Sequence, residues 1–211
     1  MSAFTSIKLF HHDSSTLKPA ALYADLSKLD VTAAELSWQP YIEKKIKSLK
    51  SAGISQDDWP EHLHWDWSQL RRETQSKLAH KWYGIKCDGK WQGLMVLETA
   101  LHRARIGDDK GKHLVYINYL ASAPWNLAEF VEAPAYGLVG TVFVRVAIEL
   151  SFKLEFKGRI GLHALTQSEA FYRDICGMTD VGPGQEYSQS KLRYFEMTKD
   201  QAEDFVREEK Q

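Results

Sequence analysis

Between His113 and Leu165 the chain runs as a strand, a glycine-flanked turn, a helix and a second strand, and no other stretch constrains the fold as much. His113 to Leu120 is apolar and aromatic, and Ala123-Pro124 ends it because proline has no N–H for a ladder. Trp125 to Pro134 is a connection with room for one helical turn. Tyr136-Gly137-Leu138-Val139-Gly140 follows. A helix from Thr141 to Ser151 then puts Val142, Phe143, Val146, Ala147 and Leu150 on one face. Gly158 to Leu165 is the next strand. Two strands joined through a helix lie parallel in one sheet, and the crossover is right-handed.

The segments before and after fit round this unit. Lys81 to Cys87 alternates with period two, Asp88-Gly89 is the pair that a type I′ turn prefers, and Trp91 to Thr99 returns as an antiparallel strand. His102 to Lys112, charged and carrying Gly107 and Gly111, is a loop. Upstream, Thr32 to Lys50 reads as a helix, with Thr32 and Glu35 as a capping box and Trp38, Ile42, Ile46 and Leu49 on one side. Asp66 to Trp82 reads as a second helix, and the first twenty or so residues as partly loose. Downstream, Ser168 to Cys176 is a helix with Ser168 as N-cap and Gly177 as stop. Val181 to Gln189 is a loop, Leu192 to Thr198 a strand and Gln201 to Glu209 a polar helix. The fold class is α/β (α+β): a mixed central sheet flanked by helices, with an N-terminal helical extension over residues 1–80. With 211 residues, one domain over 1–211 is expected.

Charge narrows the partners. Lys and Arg number 27 against 28 Asp and Glu, a net charge of -1, which argues against nucleic acid. The Lys44, Lys45, Lys47 and Lys50 face reads as merely solvated. Leu138 to Leu150, broken by Arg145 and Glu149, is too short to cross a bilayer, so no membrane partner is expected. Cys87 and Cys176 match no metal or redox spacing, and His11-His12-Asp13 and His62/His64 have no third ligand, so no metal is expected. Two thiols, and no apolar run over Met1 to Phe10 long enough for a secretory h-region, make a cytoplasmic location the expectation.

The chemistry concentrates at the glycine turn. The first N–H groups of the helix that follows it converge on one point, with the positive end of the dipole behind them, which suits a phosphate. The turn lacks the Gly-Lys-Ser/Thr of a Walker A loop and the spacing of a GxGxxG fingerprint. Read bare, it is either an anion site or a chain reversal.

Pro134 to Gly140, the helix ending Ala147-Ile148-Glu149-Leu150-Ser151, the strand Gly158 to Leu165, and Ala170-Phe171-Tyr172 with Cys176-Gly177-Met178 together resemble the GNAT (Gcn5-related) N-acetyltransferases over about residues 81 to 198. The resemblance implies a GNAT-like acyl-CoA N-acyltransferase fold with acetyl-CoA as cosubstrate. Its pantetheine arm would pair with Leu120, Ala121 and Ser122, where the strand splays from its parallel neighbour. Its pyrophosphate would sit on the amides of Tyr136, Gly137, Leu138, Val139, Gly140 and Thr141. Tyr172 would be the acid for the leaving thiolate. The chain departs from the family pattern in three places: Pro134 opens the turn, Val139 stands where a second small residue belongs, and Tyr172 is one residue further from Gly177 than usual.

Amine attack on a thioester also needs a base. His163 and Glu98, each at a strand end, are the candidates, with a packed sheet histidine and a solvated strand end as the competing readings. Five of the seven tryptophans fall between residues 59 and 91. In this fold the early helices wall the acceptor, and an aromatic and acidic segment suits an amine. Trp65, Trp67, Asp66 and Glu61 are therefore the acceptor-side candidates, while Trp82 and Trp91 read as a cross-strand core pair. The expected activity is acetyl transfer to a primary amine of a small molecule or protein. The alternative is an inactive acyl-CoA-binding sensor or interaction module. The sequence does not fix the oligomeric state, and a homodimer is the one candidate it leaves.

Overall fold

The computed structural model describes residues 4–183 and 192–208. Nine strands form one mixed sheet: β1 (Phe4–His11), β2 (Thr16–Ala24), β3 (His80–Cys87), β4 (Lys90–Glu98), β5 (Val115–Ser122), β6 (Tyr136–Gly137), β7 (Ile160–Ala164), β8 (Thr179–Pro183) and β9 (Arg193–Met197). Their hydrogen-bonded order is β6-β1-β2-β3-β4-β5-β7-β9-β8. The helices are α1 (Lys28–Ser51), α2 (Trp67–Thr74), α3 (Val139–Lys153) and α4 (Lys199–Glu208). The chain divides into two compact units, Met1–Met95 with Leu120–Gly140, and Val96–Tyr119 with Thr141–Gln211.

In the first unit residues 4–24, expected to be partly loose, form a hairpin. β1 and β2 pair antiparallel from Phe4↔Tyr23 to His11↔Thr16. The reason lies in Ile7 and Leu9, which alternate with Ser6 and Lys8, and in the turn-forming Asp13-Ser14-Ser15, where Ser15 takes φ 49. Only Leu9 and Ala20 of this hairpin are buried, so its apolar signal is weak. The β3–β4 turn forms as expected, with φ 48 at Asp88 and φ 74 at Gly89.

α1 begins a turn earlier than its sequence signals suggest. Ser27 is the N-cap, and a capping box joins it to Asp30. Thr32 and Glu35 reach α2 instead. The Trp67 N–H donates to Glu35 Oε1 at 2.7 Å, the Ser68 hydroxyl donates to Glu35 Oε2, and Thr32 and Ser68 share a hydroxyl bond at 3.1 Å. α2 is also shorter than its apolar pattern indicates. Its Thr74 hydroxyl accepts the Trp82 indole N–H at 3.0 Å, and the chain turns into β3 at His80. Trp38, Trp67 and Trp82 pack edge to face in the core of this unit.

In the second unit the parallel pair expected from the crossover is present, β5 to β7 over Val115↔Ile160, Tyr116↔Gly161 and Ile117↔Leu162. Among the described residues that ladder stops at Ile117↔Leu162, although β7 continues to Ala164. The helix expected over Ser168 to Cys176 is present from Glu169, α-helical at Glu169 and Ala170 and then widened. A 3-10 turn (Thr166–Ser168) precedes a π turn (Phe171–Ile175), and Gly177 follows at φ 64. The loop expected over Val181–Gln189 is strand at its first three residues, and its remainder lies outside the described residues. Among the described residues no helix is long and apolar enough to cross a membrane.

Candidate functional site

Leu120, Ala121 and Ser122 close β5 and are half-buried. After a 3-10 turn (Pro124–Asn126) the chain reaches β6, where Phe10↔Gly137 and His11↔Tyr136 pair with β1. Leu138 then takes φ 70, a left-handed conformation that a residue with a Cβ rarely adopts, and α3 starts at Val139. The helix begins two residues before the expected Thr141, so Val139, Gly140 and Thr141 form its first turn. Those are the amides that an α-helix leaves without intrahelical partners. Tyr136 does not belong with them. Its N–H donates to Asn126 Oδ1 at 3.0 Å, because β6 is anchored from that side. Its hydroxyl donates to the Asp88 carboxylate and holds that carboxyl below its ordinary value.

Tyr172 sits in the π turn, 6% exposed, with its ring against Phe171 and Phe195. Burial, with Cys176 beside it, pushes the phenol well above its ordinary value, so it keeps its proton. His163 lies on β7, half-buried, with Nδ1 at 2.5 Å from the Tyr116 hydroxyl and its ring 5.0 Å from that of Tyr194. Glu98 ends β4 but is 2% exposed rather than solvated. Its carboxylate accepts the N–H groups of Ala100 at 2.6 Å and Leu101 at 3.0 Å. The two base candidates meet through residues that sequence reasoning passed over. His102 lies 3.9 Å from Glu98 and stacks on Tyr116 with centroids 3.7 Å apart. Glu98 and His102 come from the end of β4 and its following loop, Tyr116 from β5 and His163 from β7, so no sequence spacing could have joined them.

On the acceptor side, Glu61 opens a 3-10 turn (Glu61–His64) and Asp66 caps α2, its Oδ1 accepting the Gln69 N–H at 2.6 Å. That bond is the reason an acidic residue stands there. Trp67 is core, 3% exposed, and Trp65 is half-buried against its edge. Trp82 and Trp91 are both core, but with different neighbours. Trp82 packs on Trp67, and Trp91 on Tyr23. Glu129 is a carboxylate that pairs with a ring-packed imidazole. His62 Nε2 lies 3.1 Å from its Oε1, and the His62 imidazole meets the rings of Trp65 and Phe130. Burial pushes the Glu129 carboxyl up, but the His62 bond and charge, with Lys45 nearby, outweigh it and hold the group below its ordinary value. Lys45 also donates to the Glu129 carbonyl at 3.0 Å, so one member of the lysine face is anchored.

No protein-family model and no curated protein sequence matches this chain. Solved structures do. An uncharacterized protein (bh2621) from Bacillus halodurans matches at TM-score 0.56 and 10% identity, over 97% of this chain and 95% of that one. The aminoglycoside acetyltransferase AAC(6')-Ib, in complex with coenzyme A and kanamycin, matches at TM-score 0.53 and 15% identity, over 88% and 98%. A mutant of the BH1408 protein from Bacillus halodurans matches at TM-score 0.50 and 13% identity, over 78% and 96%. At such identities the likeness is one of fold, and the fold of this chain is that of the GNAT-type acetyltransferases.

Proposed function

We propose that the protein is an acetyl-CoA-dependent N-acetyltransferase acting on a primary amine of a small molecule or a protein. One observation carries the reading: a parallel ladder that stops at Ile117↔Leu162, on a strand that leads to a left-handed residue and the bare first turn of α3. Such a turn fits a pyrophosphate, and a strand edge beyond a ladder fits the amides of a pantetheine arm. A chain of the same fold holds coenzyme A in its crystal structure.

Leu120, Ala121 and Ser122 would hold the pantetheine arm. The amides of Gly137, Leu138, Val139, Gly140 and Thr141 would hold the pyrophosphate. Acetyl-CoA supplies the thioester. Tyr172, kept protonated by burial, would give its proton to the leaving sulfur. His163, oriented by Tyr116, is the better base candidate of the two, because both Glu98 oxygens accept backbone N–H groups. Glu129, held ionised beside the ring-packed His62, joins Trp65, Trp67, Asp66 and Glu61 on the acceptor side, where a carboxylate and ring faces would draw an ammonium.

The sensor reading is favoured by one observation, the burial of Tyr172 at 6% exposure, which keeps most of the acid from solvent. Two measurements separate the readings. Calorimetry with acetyl-CoA should show binding below millimolar concentration, and no heat at millimolar cofactor overturns both. Thiol release against a panel of primary amines should show turnover with at least one of them. Binding without turnover leaves the sensor.

A further inference from the structure

Two buried amides in the first unit do more than fill space. Gln92 stands in β4 at 1% exposure, in a run where Trp91 and Leu94 to Leu97 are buried and apolar. Asn126, at 9% exposure, ends the 3-10 turn after β5. Both side-chain polar atoms of each residue are engaged. Gln92 Nε2 donates to the Cys87 carbonyl at 3.0 Å and to the Lys90 carbonyl at 3.4 Å. Gln92 Oε1 accepts the Trp125 indole N–H at 2.8 Å and Asn126 Nδ2 at 3.1 Å. Asn126 Nδ2 also donates to the Gln92 carbonyl at 3.3 Å, and that carbonyl accepts the Ala123 N–H at 2.8 Å. Asn126 Oδ1 takes the Tyr136 N–H at 3.0 Å, and Ala135 N–H donates to the Trp125 carbonyl at 2.9 Å.

The placement of the two ends matters. Ala123 follows Ser122, the last residue of the strand edge assigned to the pantetheine arm. Tyr136 precedes Gly137, the first of the amides assigned to the pyrophosphate. Side-chain amides that leave a buried partner unpaired when removed are costly to lose, and a fully satisfied network holds its members rigidly. We infer that Gln92 and Asn126 are positioning residues of the cofactor site, holding the end of β5 and the start of the glycine turn at the separation that one coenzyme A molecule needs. The inference rests on the acetyl-CoA reading above. It extends that reading to two residues that touch no cofactor atom and act through the segments they join.

A ligand that engages both segments senses their separation, whereas a ligand that engages one does not. The test uses the full chain with two variants: Asn126→Leu, which removes the Tyr136 acceptor, and the milder Gln92→Met, which keeps the main-chain bonds at Ala123. The control is Ser151→Ala, which removes another buried hydrogen bond, to the Arg159 carbonyl in the second unit. Calorimetry is run with coenzyme A and with inorganic pyrophosphate. Both variants should bind coenzyme A about tenfold or more weakly, since small misplacements of binding groups are that expensive. Both should bind pyrophosphate within about twofold of the parent, because one hydrogen-bonded segment still suffices for it. The control should lose melting temperature but no coenzyme A affinity. Equal weakening toward both ligands, unchanged coenzyme A affinity in a folded variant, or a parent that binds coenzyme A but no pyrophosphate each overturns the inference. A parent that binds no coenzyme A overturns the acetyl-CoA reading itself.

Discussion

At the scale of single residues, Tyr172 illustrates how a sequence irregularity becomes geometry. The additional residue before Gly177 is absorbed as a π turn, with the Cys176 N–H donating to the Phe171 carbonyl at 3.0 Å and the Met178 N–H to the Tyr172 carbonyl at 3.0 Å. Widened turns of this kind cluster at functional positions. The expected consequence is specific. Tyr172→Phe should lower kcat by about a hundredfold, the usual scale for a lost general acid, with coenzyme A affinity nearly unchanged. Steady-state thiol release and calorimetry check it together, and unaltered kcat removes Tyr172 from the chemistry. The carboxylates teach the complementary lesson. Asp66 and Glu98 both look functional as letters, yet each accepts N–H from its own neighbouring turn, whereas Glu129 pairs with an imidazole from a distant segment.

At the scale of elements, α2 is only eight residues long, too short to persist without tertiary support. Its start is held from outside by Glu35, which accepts the Trp67 N–H and the Ser68 hydroxyl, and from inside by Asp66. A carboxylate at a helix N-terminus also meets the favourable end of the dipole. Glu35→Ala should therefore lower unfolding free energy by roughly 1–2 kcal/mol, as loss of a cap does. Urea denaturation measures it, and a change within error would mean that Asp66 alone holds α2. At the start of α3 the strain runs the other way. Leu138 is 47% exposed and left-handed, so Leu138→Gly should raise stability by about 0.5–1 kcal/mol, since glycine adopts that backbone freely.

At the scale of the whole chain, three phenols set a pH dependence. Burial raises Tyr172, Tyr136 and Tyr83 above the ordinary tyrosine value, with Cys176, Asp88 and Asp25 adding to it in turn. The folded chain thus holds these protons more tightly than the unfolded chain, where tyrosine titrates near about 10. Their contribution is fully present below that pH and is lost as pH rises through the folded-state values. The urea midpoint should be flat between roughly pH 7 and 9 and fall by roughly pH 11, more shallowly in Tyr172→Phe. A midpoint that rises with alkali contradicts the sign.

The sequence by itself determined what depends on neighbours a few residues away. The period-two strands, the Asp88-Gly89 turn, the β5–α3–β7 crossover and the glycine stop at Gly177 were all legible, because turn chemistry and side-chain period are local. The β1–β2 hairpin escaped because its exposed strands carry little apolar alternation, and α2 was read too long because apolar spacing does not mark where a tertiary bond ends a helix. Tertiary structure alone decided which polar atoms remain for chemistry. Asn126 takes the Tyr136 amide across ten residues of chain, and Tyr116 takes His163 Nδ1 and His62 meets Glu129 across many more. A buried polar group must find its partner wherever the fold brings one, and that choice is written in space rather than in spacing.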